Sequence, residues 1–109
     1  MANKTVTINV YGNGDFSYSF SLLGVSGGDV VTWQGGPDTG AFSITFQNDI
    51  TPLTSGELQI ANGGAGNTFA RTIQGGLQVG KVYKYSVAAT HIPTGTQWKD
   101  GACPELIIR

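Results

Sequence analysis

The sequence predicts an all-β domain of sandwich type, on three observations. Charged residues make up 12% of the 109-residue chain, so the Glu-, Lys- and Arg-rich surfaces on which helices rely are scarce. Seventeen glycines punctuate it. Between them apolar residues recur at every second position, the period of a strand with one buried face. A single domain is expected over residues 1–109, a length at which a chain buries about two-thirds of its unfolded surface.

The elements follow in order. Val6, Ile8 and Val10 alternate with Thr5, Thr7 and Asn9, a half-buried strand. Gly12-Asn13-Gly14 separates it from a second run in which Phe16, Tyr18 and Phe20 alternate with serines. Asn-Gly between two such runs signals a hairpin, because both residues accept positive φ. Gly27-Gly28 opens a compact strand over 29–33, which Gly35-Gly36-Pro37 ends. Phe42, Ile44 and Phe46 then mark a one-sided strand over 41–46. Residues 48–67 read as loop, with one short strand at 57–60. Further strands are expected over 68–74, 81–90 and 105–109. The longest of them places Tyr83, Tyr85, Val87 and Ala89 on one face. Seven to eight short strands with glycine turns at about ten-residue spacing describe a sandwich or barrel.

Composition narrows the function classes. Six basic residues against seven acidic ones give a net charge of −1, which builds no field for nucleic acid or an anionic membrane. No apolar run approaches the ~20 residues of a membrane span. The first residues lack the apolar core of a signal peptide, so a cytoplasmic location is favoured for the chain as it stands. A lone cysteine, Cys103, permits no internal disulfide.

Four motifs carry the look of chemistry. Gly24-Val25-Ser26-Gly27-Gly28 matches the G-x-S-x-G of a hydrolase elbow, but that elbow needs a following helix and strand formers follow here. Asp38-Thr39-Gly40-Ala41 matches the signature of aspartic proteases, whose retroviral members are all-β homodimers that pair two carboxylates over one proton. Pro37 directly before Asp38 favours a turn instead, and no second apolar-apolar-glycine motif follows. The glycine-rich stretch 62–67 lacks the lysine and helix of a phosphate loop. His91 and Cys103 are too few for a zinc or blue-copper site within one chain; His91, before Ile92-Pro93, reads as a loop residue. Trp33 ends an apolar run and is assigned to the core. Trp98, between Gln97 and Lys99, is placed in a polar loop, where an exposed ring could stack on a sugar.

Gly28-Asp29-Val30-Val31-Thr32-Trp33, followed after a loop by Phe42-Ser43-Ile44-Thr45-Phe46, resembles the central strands of cupredoxin-like domains. So does Gly80-Lys81-Val82-Tyr83-Lys84-Tyr85-Ser86-Val87 with a terminal Pro104-Glu105-Leu106-Ile107-Ile108 strand. The resemblance covers about residues 4–109 and implies a Greek-key β-sandwich, which in its metal-binding members holds one copper for electron transfer. In those members a histidine follows the G-D-x-V-x-W strand, and cysteine, histidine and methionine surround the last loop. Here residues 35–42 contain no histidine, His91 precedes Cys103, and 104–109 holds neither further ligand.

The expectation is therefore a copper-free, cupredoxin-like sandwich without a cofactor, acting as a binding or interaction module. Its working surface is expected at the loop end, on Asp38, Thr39, His91, Trp98 and Lys99, with an unknown protein or glycan as partner. A homodimeric aspartic protease using Asp38 and a carbohydrate-binding module using Trp98 are the alternatives. A monomer, or an oligomer paired through edge strands, fits the same fold.

Overall fold

The computed structural model describes residues 2–61, 68–100 and 104–109, and places ten strands among them. They are β1 (Asn3–Val10), β2 (Phe16–Tyr18), β3 (Leu22–Val25), β4 (Val30–Gly35), β5 (Thr39–Phe46), β6 (Gln59–Ala61), β7 (Phe69–Thr72), β8 (Val82–His91), β9 (Thr96–Asp100) and β10 (Glu105–Ile108). No helix occurs among the described residues, so none is long and apolar enough to cross a membrane. The stretch 62–67 and Cys103 lie outside the described residues, so the readings made of them stop at the sequence.

The strands form two mixed sheets. One runs β2-β1-β4-β7; the other runs β3-β10-β8-β5-β6, with β9 also paired to β8. Two pairings are parallel, β1 with β4 and β10 with β3, and each joins strands that do not follow one another in sequence. The alternation read from sequence sets the inner faces. Val6, Ile8 and Val10 of β1, Phe42, Ile44 and Phe46 of β5, and Tyr83, Tyr85, Val87 and Ala89 of β8 are all buried between the sheets.

Trp33, on β4, is the largest fully buried side chain. Its indole Nε1–H donates to Tyr85 Oη at 3.3 Å, and the two rings meet edge to face at 5.9 Å. Phe69 packs on Trp33 and Phe46 on Tyr85. Burial pushes the Tyr85 phenol up to about 12.

Ten strands exceed the seven to eight expected, and the two additions have a common cause. Leu22-Leu23-Gly24-Val25 was too short and too interrupted by glycine to show a period, and its partner, β10, lies some eighty residues on. In β9 the run Thr-Gln-Trp-Lys-Asp carries one apolar residue, which cannot define an alternation; pairing with β8 forms it instead. Trp98 therefore stands on a strand and not in a loop, and His91 is the last residue of β8. In place of the loop expected at His91 and Trp98 there is a tight hairpin connection, 92–95, closed by Gly95 N–H donating to His91 O at 2.8 Å.

After β5 the backbone turns through Asn48 and Asp49, both in the left-handed region at φ 62° and 55°. Consecutive left-handed residues make a type I′ turn, whose second position favours glycine. Asp49→Gly is expected to stabilise the fold by about 1 kcal/mol, read as a rise of about 4 °C in the thermal midpoint. An unchanged or lower midpoint would show that the Asp49 side chain contributes more than its backbone costs.

Candidate functional site

The five residues singled out in the sequence separate into two groups. Thr39 and His91 stand opposite each other in the β5–β8 ladder and are both buried. Thr39 Oγ1 accepts the backbone N–H of Val10 at 3.0 Å, tying the start of β5 to the end of β1. This bond satisfies a buried donor that no ladder partner takes, so the hydroxyl serves the fold. His91 Nδ1 lies 2.9 Å from Thr94 Oγ1, within the turn that follows it. Asp38 and Lys99 are exposed. The Asp38 carbonyl accepts the N–H of Ile92 at 2.8 Å, so this turn is pinned to the 92–95 connection.

The hairpin tip between β1 and β2 completes this end, a contribution that the sequence did not signal. Tyr11 N–H donates to Asp15 O and Gly14 N–H to Tyr11 O, both at 2.9 Å. The tip lies flat on two rings. A Cβ on Gly12 would stand 3.3 Å from His91 Cε1, and one on Gly14 would stand 2.6 Å from Trp98 Cε3. Gly14 also has φ +90°, which L side chains rarely adopt. Behind the tip, Tyr18 Oη donates to Asp100 Oδ2 at 2.5 Å and bridges β2 to β9 across the sandwich edge.

Trp98 is half-buried beneath this tip and packs against the core, and its Nε1 is a fully buried donor without a partner among the described residues. One face of the ring is covered by Gly14, which leaves less indole free for stacking than a loop position would. Gly14→Ala is expected to cost about 2 kcal/mol, from the strained φ and the displaced indole together. Trp98 emission should shift to the red in the same variant. Wild-type stability with an unshifted spectrum would mean that the tip does not rest on the ring.

The outer face of the six-stranded sheet carries a shallow groove at this end, with a volume of about 200 Å³. Ala41 and Ser43 of β5, Ala88 and Thr90 of β8, Ala61 of β6 and Gln97 of β9 line it. Small side chains on neighbouring strands make the hollow, and a register shift in the β5–β8 ladder between Thr39 and Phe42 lies beside it. None of these residues is ionisable.

The cupredoxin resemblance raises the question of copper, and the donors of this chain do not fit it. A blue-copper site takes two imidazoles and a thiolate, whereas the whole chain has one histidine and one cysteine. His91 is buried under Gly12 with one ring nitrogen held by Thr94. Among the described residues no three of His, Cys, Asp and Glu come together.

No family model and no curated protein matches the chain. Solved structures do. A purple cupredoxin from Nitrosopumilus maritimus is 18% identical, with a TM-score of 0.53 over 96% of this chain and 98% of that one. A proline-to-glycine mutant of amicyanin, in its reduced Cu(I) form at pH 4, is 15% identical, with a TM-score of 0.51 over 94% of this chain and 80% of that one. At such identities the likeness concerns the fold. Two mixed sheets, their crossed strand order and these end-to-end matches agree: the chain is a cupredoxin-like β-sandwich.

Proposed function

We propose that the chain is a non-enzymatic binding module on a copper-free cupredoxin-like scaffold, working through the groove on β5, β8 and β9 and the turns beside it. The observation that supports this reading is an uncharged hollow of small side chains on a braced part of the sheet. Asp38 is hydrogen-bonded to Ile92 and His91 to Thr94, and on the inner face the hairpin tip packs on His91 and Trp98, so the strands that carry the hollow are held before a partner arrives. A groove of about 200 Å³ with no ionisable lining suits one uncharged side chain of a protein partner, while exposed Lys99, in register with Ala88 of the groove, stands near enough to orient it.

The test begins with a partner captured by cross-linking in the native cell and then purified. Ser43→Trp fills the groove from an outward-facing position and should weaken binding of that partner more than about tenfold, with the thermal midpoint unchanged. Equal affinity of the two proteins would overturn the assignment to the groove. A glycan that binds the wild type and not Ser43→Trp would transfer the site to a carbohydrate. Peptide hydrolysis at acid pH that vanishes in Asp38→Asn would replace the reading with an aspartic protease.

A further inference from the structure

At the opposite end of the same outer face the binary pattern breaks. β3 and β10 form a parallel pair in which Leu106 and Ile108 face the core, as do Leu23 and Val25. Two of their four outward positions, Leu22 and Ile107, are apolar as well, beside Gly24 and Glu105. Leu22 is 47% exposed, Ile107 is half-buried on the outside, and Val82, opposite Ile107 on β8, is 37% exposed. Large apolar side chains left on the outer face of a sheet mark a surface that something covers. Val79, 72% exposed just before β8, extends the patch. The stem of Arg109 lies over Gly24, where a Cβ would stand 2.9 Å from its Nε.

Charge identifies what covers this face. In the row beside Ile107–Val82, Glu105 of β10 stands in register with Lys84 of β8. The two make no ion pair; the ion pairs among the described residues are Lys4–Asp29 and Arg71–Glu57. A two-fold axis lying along the strands, between β8 and β10, lays this face on its own copy. That operation sets Glu105 against Lys84 of the second copy, twice, and Ile107 against Val82 of the second copy, twice. One patch thus supplies both signs and both apolar partners, as an isologous contact requires.

We infer that the outer face of β3, β10 and β8 is the self-association surface of the protein, forming a two-fold dimer about Glu105–Lys84 and Ile107–Val82. This differs from pairing through strand edges, since the faces meet and the edges stay free. It is also independent of the groove, because Val82 and Thr90 lie about 26 Å apart along β8. Both ends of the sheet can therefore be occupied at once.

Sedimentation of the full chain tests this from about 1 μM to about 1 mM, the range of weak to moderate association. The wild type should be dimeric in the upper part of that range. Lys84→Glu and Glu105→Lys should each weaken the dimer about tenfold or more, because each sets like charges across the axis. The equimolar mixture of the two variants should restore it as a heterodimer, as should the double swap in one chain. Val82→Lys should abolish it, and the folded state of each variant is checked by its thermal midpoint. A wild type that is monomeric throughout overturns the inference. So does a dimer that the swaps leave unchanged or that their mixture fails to restore.

Discussion

Trp33→Ala is expected to cost about 4 kcal/mol, most of the stability of an ordinary domain of this size. Three losses add in one place. The indole is 0% exposed, so its apolar surface leaves a cavity that the surrounding strands can close only in part. Its contacts with Phe69 and Tyr85 disappear. The Tyr85 hydroxyl, buried in the same layer, also loses the Nε1–H that donates to it. At about 4–8 °C per kcal/mol the midpoint should fall by more than about 15 °C. Trp33→Phe keeps most of the ring and drops the donor, and should cost about half as much. A midpoint within about 5 °C of the wild type for Trp33→Ala would remove this residue from the centre of the core.

The second large effect belongs to a carboxylate. Asp29 is 4% exposed, and its oxygens accept backbone N–H groups on two sides, Ser26 and Ala2, each at 2.9 Å. Lys4 Nζ lies 3.5 Å away. The Ser26 N–H is the main cause that holds the carboxyl below its ordinary 3.8; desolvation opposes it, and Ala2 and Lys4 assist. This group closes the turn between β3 and β4 and fastens the start of β1 to it. Asp29→Ala leaves two N–H groups without their acceptor and should cost about 3 kcal/mol.

The same arrangement fixes a pH dependence. A carboxyl whose pKa is depressed by folding contributes stability above its unfolded value, and that contribution is lost as pH falls through the folded value. The wild type should therefore lose stability on acidification below about pH 3.8, and Asp29→Asn should lose less over the same interval. Parallel acid limbs for the two proteins would contradict the role given to this carboxylate.

How far the sequence could be read follows from what each element depends on. β1, β5 and β8 declare themselves because their inner faces are apolar at every second residue, and burial of those faces decides the strand. β9 and β3 depend on partners, and a single chain does not announce which distant strand lies alongside. The candidate site shows the same division. Thr39 and His91 read as loop residues in the sequence and do come together, but as a buried rung of a ladder. Trp98 reads as a surface residue because its neighbours are polar. Those neighbours, Gln97 and Lys99, point outward from β9 while the indole turns in under Gly14. Nothing in the sequence brings Gly12 and Gly14 to these rings, because that contact belongs to the way the two sheets close on each other.

The place of β10 governs how the chain can reach this structure. This strand, near the end of the sequence, lies inside the sheet between β3 and β8. Until it arrives, β3 has no neighbour in its sheet, and the Lys81–Lys84 side of β8 stays open. Without β10 the sheet is unfinished, with a hydrophobic slot where Leu106 and Ile108 belong. Docking of β10 is therefore expected to be a slow step of folding, because its contacts with β3 join distant parts of the chain. Until it docks, the open edges of β3 and β8 are the surfaces at which chains would mispair.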